Sequence, residues 1–149
     1  MNYRVLYFLA LFLIAVPAFS GGPSSGSNPW VATAVSAAPA KLRAGASTEL
    51  RISLKPAAGI HIVLQPAIDV KLDSVTAVAG TGTLQVPAAA DKEHLDPAHP
   101  VRLKITLAKD VRPGTLTLKG TLVYYYCSDA EGTCNKFKQP LELRLSVVR

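Results

Sequence analysis

The chain has 149 residues, 49% of them hydrophobic and 17% charged, with a formal net charge of +6 at pH 7. Its lysines and arginines are scattered singly along polar sides of alternating segments, with no run and no interleaved aromatics, which excludes a nucleic-acid-binding patch. Met1 is the only methionine, which excludes a thioether copper site.

The amino terminus reads as an export signal. Arg4 supplies a weak positive start, and the apolar run VLYFLALFLIAV follows before Pro17. Ala18-Phe19-Ser20 then places small residues at the two positions a signal peptidase reads. The 15 apolar-rich residues from Val5 to Phe19 are short for a membrane span, so cleavage after residue 20 is expected rather than retention as an anchor. No cysteine stands at the junction to carry a lipid. Removal of Arg4 with the signal lowers the net charge from +6 to +5.

Residues 21–29, GGPSSGSNP, are small, polar turn formers and read as a flexible leader. Trp30 opens the domain, expected over 30–149, which is long enough for one core that does not depend on disulfides. No later segment is long and apolar enough to span a membrane, so no stable span is expected after signal cleavage.

Period-two alternation runs through this domain. Leu50, Ile52 and Leu54 alternate with Glu49, Arg51 and Ser53; Ile68, Val70 and Leu72 alternate with Asp69 and Lys71. Val101 to Leu107 and Leu141 to Val147 repeat the pattern. Between Thr115 and Cys127 lies the longest strand candidate, with Leu116, Leu118, Leu122, Tyr124 and Tyr126 on one face. Thr117, Thr121, Val123, Tyr125 and Cys127 share the other, and Gly120 marks a bulge or a close backbone approach. Turn signals at Pro56-Ala57-Ala58-Gly59, Gly80-Thr81-Gly82 and Arg112-Pro113-Gly114 separate the strands. No helical period occurs. The expected fold is all-β, an immunoglobulin-like antiparallel β-sandwich of about 7 or 8 strands.

One segment breaks the pattern. Pro87 to Pro100, PAAADKEHLDPAHP, has three prolines, two histidines and no usable period, and reads as a structureless surface loop or at most a short helical turn over 88–93. Loops this long are more often functional than merely connecting.

Cys127 and Cys134, the only cysteines, carry the chemistry. They stand in YYYCSDAEGTCNKFK, with one strand ending at Cys127 and the next expected to start near Pro140. In an export compartment such a close pair is oxidised, or cycles between thiol and disulfide. As a staple its 8-residue ring would stabilise the fold by only about 2.5 kcal/mol. A static disulfide in a non-catalytic secreted binding or accessory module is nonetheless the alternative to redox work. An inter-sheet immunoglobulin bridge, suggested by Tyr125 two residues before Cys127, fails for want of a cysteine on a distant strand. Metal binding by the pair with a histidine such as His94 lacks a fourth ligand at recognisable spacing, so no metal and no cofactor are expected. His61, His94 and His99 read as surface or loop residues. For a thiolate, Lys136 and Lys138 would lower the cysteine pKa, whereas Asp129 and Glu131 would raise it.

The stretch GTLTLKGTLVYYYCSDAEGTCNKFKQPLELRLSV resembles the end of the N-terminal periplasmic domain of DsbD-type thiol:disulfide interchange proteins. The upstream segment LRISLKPAAGIHIVLQPAIDVKL is similar to that family's strand, glycine turn and strand. The resemblance implies a periplasmic or secreted immunoglobulin-like domain whose Cys127 and Cys134 exchange electrons with thioredoxin-like oxidoreductases, with Cys127 holding the partner in the mixed disulfide. It places residues 87–100 where the family has a cap over the cysteines, with His94 and Leu95 as the bulky residues controlling access. Tyr125 beside Cys127 is the candidate for partner docking. Two departures stand out. The family's cap presents aromatic residues and this loop has none, and the family's membrane conduit and thioredoxin-like domain are missing from this sequence, so the expected electron donor is a separate protein.

Overall fold

A computed structural model describes residues 26–73 and 76–149; the expected export signal over residues 1–20 and residues 21–25 of the expected leader lie outside the described residues. The described chain is all strand: β1 Val31–Ala38, β2 Lys41–Arg43, β3 Ser47–Pro56, β4 Ile60–Val63, β5 Asp69–Leu72, β6 Val78–Thr81, β7 Val101–Leu107, β8 Gly114–Ser128 and β9 Thr133–Val148. They form two sheets, ordered β1-β3-β7-β6 and β2-β9-β8-β4, with β5 also pairing to β8. This is the immunoglobulin-like β-sandwich that the alternation predicts.

The alternating apolar rows meet between the sheets. Leu50, Ile52 and Leu54 of β3 and Leu103, Ile105 and Leu107 of β7 face Leu118 and Leu122 of β8 and Leu143 and Leu145 of β9, all buried. The charged partners of these residues, among them Glu49, Arg51 and Lys104, lie on the outer face because successive side chains alternate across a strand. Tyr124 joins the buried set with no exposed surface. Asn28 is itself buried and donates from Nδ2 to the Tyr124 hydroxyl at 3.1 Å, tying the chain just before Trp30 to the core.

Four expectations change. The sandwich has nine strands among the described residues, and one pair is parallel: β2 runs beside Ser146–Val148 of β9. Gly80 and Thr81 belong to β6 rather than to a turn. β9 starts at Thr133, not near Pro140, so both cysteines lie within strands. Pro140 is tolerated because β2 reaches only the last residues of β9, leaving Pro140 on a free edge where the missing N–H takes no ladder bond. The polar run TCNKFK hid this half of the strand, since little of it faces the core.

The fourth change concerns residues 87–100, which are tied down without forming a helix. Ala88 bridges Leu95, Val63 bridges His94, and Leu95 N–H donates to the Ile62 carbonyl at 2.8 Å. The segment thereby extends the five-stranded sheet past β4. Two Asp-x-x-His turns shape it: Asp91 accepts from the amides of Glu93 and His94, and Asp96 accepts from the amide of Ala98.

Gly120 is a close approach rather than a bulge. It sits opposite Leu72 of β5 and Leu141 of β9, and a Cβ there would meet the Lys71 carbonyl oxygen at 2.5 Å.

Candidate functional site

The site is built on the far end of the β8–β9 hairpin. All 15 residues of β8 have a partner on β9, from Gly114↔Val147 to Ser128↔Thr133, so the strands hold their register to the tip. Cys127 and Cys134 are direct partners in this ladder, with Cα atoms 4.0 Å apart, and are joined by a disulfide. Only 129–132 remain as the loop, which Gly132 closes at φ 61°, a left-handed position that glycine takes without a Cβ penalty. The Gly132 amide donates to the Ser128 carbonyl at 2.9 Å, and the Asp129 amide to the Gly59 carbonyl at 3.0 Å. The tip is thus fastened to the turn before β4.

Parity decides what the disulfide faces. Leu122, Tyr124 and Tyr126 point to the core, so Val123, Tyr125 and Cys127 lie on the outer face. Cys127 is half-buried and Cys134 exposed. Lys136, the ladder partner of Tyr125, places its ammonium 5.7 Å from the Tyr125 ring centroid. Tyr125 therefore lies beside the disulfide on the open side of the sheet, half-exposed under a cation. A shallow groove continues from it past Val123, Lys138 and Pro66.

On the other flank β4 pairs with β8 so that His61 is the direct partner of Cys127. One row of the outer face thus reads Cys134, Cys127, His61 across three strands. His94 stands next to this row, its ring centroid 5.2 Å from that of His61. The His61 Nε2–H donates to Oδ2 of Asp129 at 2.9 Å, an exposed pair between β4 and the hairpin loop. His94 Nδ1 lies 2.7 Å from Asp91 Oδ2. That imidazole, with the amides of Glu93 and His94, holds the Asp91 carboxyl down to about 2. His99 pairs likewise with Asp96, whose carboxyl is lowered by the Ala98 amide and by His99.

The residues singled out by sequence separate here. Cys127, Cys134, Tyr125 and His94 share the outer face. Leu95 does not: it is 5% exposed, pairs with Ile62 and belongs to the core, where it anchors the segment that presents His94. His61 and Asp129 escaped the sequence reading as a unit. His61 occupies a polar-parity position in IHIV, a weak signal, but its place beside Cys127 depends on pairing between strands distant in the chain. Asp129, expected to raise a thiol pKa, also accepts a hydrogen bond from His61. Among the described residues no cluster of three or more potential ligands is arranged for a metal, and no helix is long and apolar enough to cross a membrane.

No family model matches the chain, and no curated protein matches it. Among solved structures it is similar to the N-terminal domain of DsbD from Neisseria meningitidis in the reduced form, at 16% identity and a TM-score of 0.33, over 80% of this chain and 85% of that one. It is also similar to a chain of a type I cohesin–dockerin complex from Clostridium thermocellum, at 14% identity and a TM-score of 0.40, over 80% of this chain and 99% of that one. Likenesses of this depth assign the chain neither to a family nor to an activity.

Proposed function

We propose that this protein is an extracytoplasmic thiol–disulfide interchange module that works through Cys127 and Cys134. The observation that carries the reading is the position of the disulfide: on the open face of a sheet, at the end of a hairpin that is already paired along its whole length. A cross-link there adds little that the ladder does not supply, because the ring it closes is short. What it does offer is a sulfur within reach of another protein. Cys127 is partly open on that face beside Tyr125, His61 and His94, and Cys134 next to it is exposed.

In exchange, one thiolate attacks a disulfide in line with its S–S bond and the second cysteine resolves the mixed disulfide. The resemblance of the hairpin sequence to DsbD-type domains suggests thioredoxin-like partners and a periplasmic or secreted setting after signal cleavage. Tyr125 is the residue we assign to partner docking. The segment 87–100, anchored through Leu95, would set access from the β4 side.

The test is the reduction potential of the pair in the mature domain, equilibrated against glutathione. A value above about −300 mV supports exchange. A lower one, with the bond resisting the glutathione pool, would make the disulfide a static part of a binding or accessory module.

A further inference from the structure

We infer that His61, oriented by Asp129, is the proton-transfer partner of Cys127; the inference rests on the exchange reading above. Three facts carry it. His61 and Cys127 are direct ladder partners on the same face, a relation that puts Cβ atoms about 4.5–5.5 Å apart and the imidazole within reach of the sulfur. The Asp129 carboxylate lies 2.9 Å from His61 Nε2. Both side chains are accessible, 48% for His61 and 65% for Asp129, so no core packing demands their pairing.

The tautomer follows from the chemistry. An ionised carboxylate only accepts, so Nε2 carries the hydrogen and Nδ1 is the basic nitrogen of the neutral ring. A nucleophile, a base beside it and a third group fixing the base is the arrangement that activates a weak nucleophile. Asp129 offsets the charge that His61 gains with the proton, and the imidazolium in turn favours the thiolate of Cys127. The groups facing His61 are Cys127 from β8, Asp129 from the hairpin loop and His94 from the 87–100 segment, itself held by Asp91. Lys136 is engaged farther along the face with Tyr125.

Starting from the dithiol, His61 Nδ1 takes the Cys127 proton and the thiolate attacks a sulfur of the partner protein's disulfide. A Cys127–partner S–S bond forms, the partner's own S–S bond breaks, and its leaving sulfur recovers the proton from the imidazolium. Cys134 then attacks the Cys127 sulfur, restores the Cys127–Cys134 bond and expels the partner's second sulfur, which takes up the Cys134 proton. Two electrons and two protons pass to the partner. The reverse sequence runs the same steps, with imidazolium protonating Cys127 as it leaves.

The experiment is a pH profile of iodoacetamide alkylation. It uses the reduced protein, and Cys134→Ser in which Cys127 is the only thiol, each with and without His61→Gln. We expect the Cys127 midpoint to lie below the ordinary thiol value and to rise on His61→Gln, slowing alkylation at pH 7 about tenfold, the equivalent of one pKa unit. Asp129→Asn should fall between. Superimposable profiles with and without His61 would overturn the inference. Glutathione equilibration of the same samples separates the two claims: a reducible pair with a His61-independent profile removes the proton relay alone. A pair that glutathione cannot reduce removes the exchange reading and the relay with it.

Discussion

Tyr124 and Tyr125 are chain neighbours with opposite surroundings, and the two faces of β8 that they represent divide the labour of the domain. The inner row, Leu118, Gly120, Leu122 and Tyr124, has no room to spare: every member is buried, and even a methyl on Gly120 would strike the backbone of β5. The outer row, Thr121, Val123, Tyr125 and Cys127, keeps every member partly open to solvent. Strand geometry forces the split, since a side chain cannot serve both faces. The lesson is that one rigid strand lends its order to an outward-facing disulfide without burying it. The cysteine is held in register by the inner row and reached from the outer side.

If this division is right, changes on the outer row alter exchange and leave stability nearly intact, while changes on the inner row do the reverse. The largest effect belongs to the pair itself. Replacing both Cys127 and Cys134 by serine should abolish disulfide exchange with a partner while lowering stability by no more than about 2.5 kcal/mol, read by denaturant unfolding. A variant that fails to fold would make the bond a staple and dissolve the distinction between the faces.

Tyr124 gives the next effect, through pH. Burial pushes its phenol up to about 12, against the opposing hydrogen bond from Asn28. A raised folded-state value means the stabilisation is complete below the unfolded value near 10 and is lost as pH rises towards 12. Stability should therefore fall by about 2–3 kcal/mol across that window. Tyr124→Phe should abolish that alkaline loss, at a neutral-pH cost of about 1 kcal/mol for the orphaned Asn28 donor.

Gly120→Ala sharpens the inner row further. The added methyl must displace the Lys71 carbonyl or the β5 strand, which should cost about 1–3 kcal/mol and leave the reduction potential of the pair unchanged. The smallest expected shift in stability comes from Tyr125→Ala, within about 0.5–1 kcal/mol because the ring is only half-buried. That variant should still be reduced by glutathione at the wild-type rate but exchange more slowly with a protein partner. Equal slowing with both reductants would place Tyr125 in the chemistry instead of in docking.

Much of this arrangement is legible in the sequence. Alternation in β3, β7 and the second half of β9 follows the core because a half-buried strand must place apolar residues on every second position. The spacing of Cys127 and Cys134 likewise marks a hairpin, and the opposed parity of Tyr124 and Tyr125 requires that they face opposite sides, while the structure decides that Tyr124 is the buried one. The first half of β9 was not legible, for its residues face solvent or the hairpin end and carry no apolar rhythm. The order of segment 87–100 is not legible, because it comes from Leu95 docking on β4 and from two Asp-x-x-His turns, neither of which leaves a period. The repeat of aspartate three residues before histidine was in plain view and is the signal that could have revealed those turns.

The sequence by itself determined the class of the fold, the faces of the long strands and the one pair of residues able to do redox chemistry, since each of these depends on local spacing. Tertiary structure alone decided the neighbours of that pair. His61 stands 66 positions before Cys127 in the chain, and only the pairing of β4 with β8 makes them adjacent. The same pairing brings the His61 imidazole to the Asp129 carboxylate. Electrostatic effects act through space over a few ångströms, and distance along the chain does not fix distance in space.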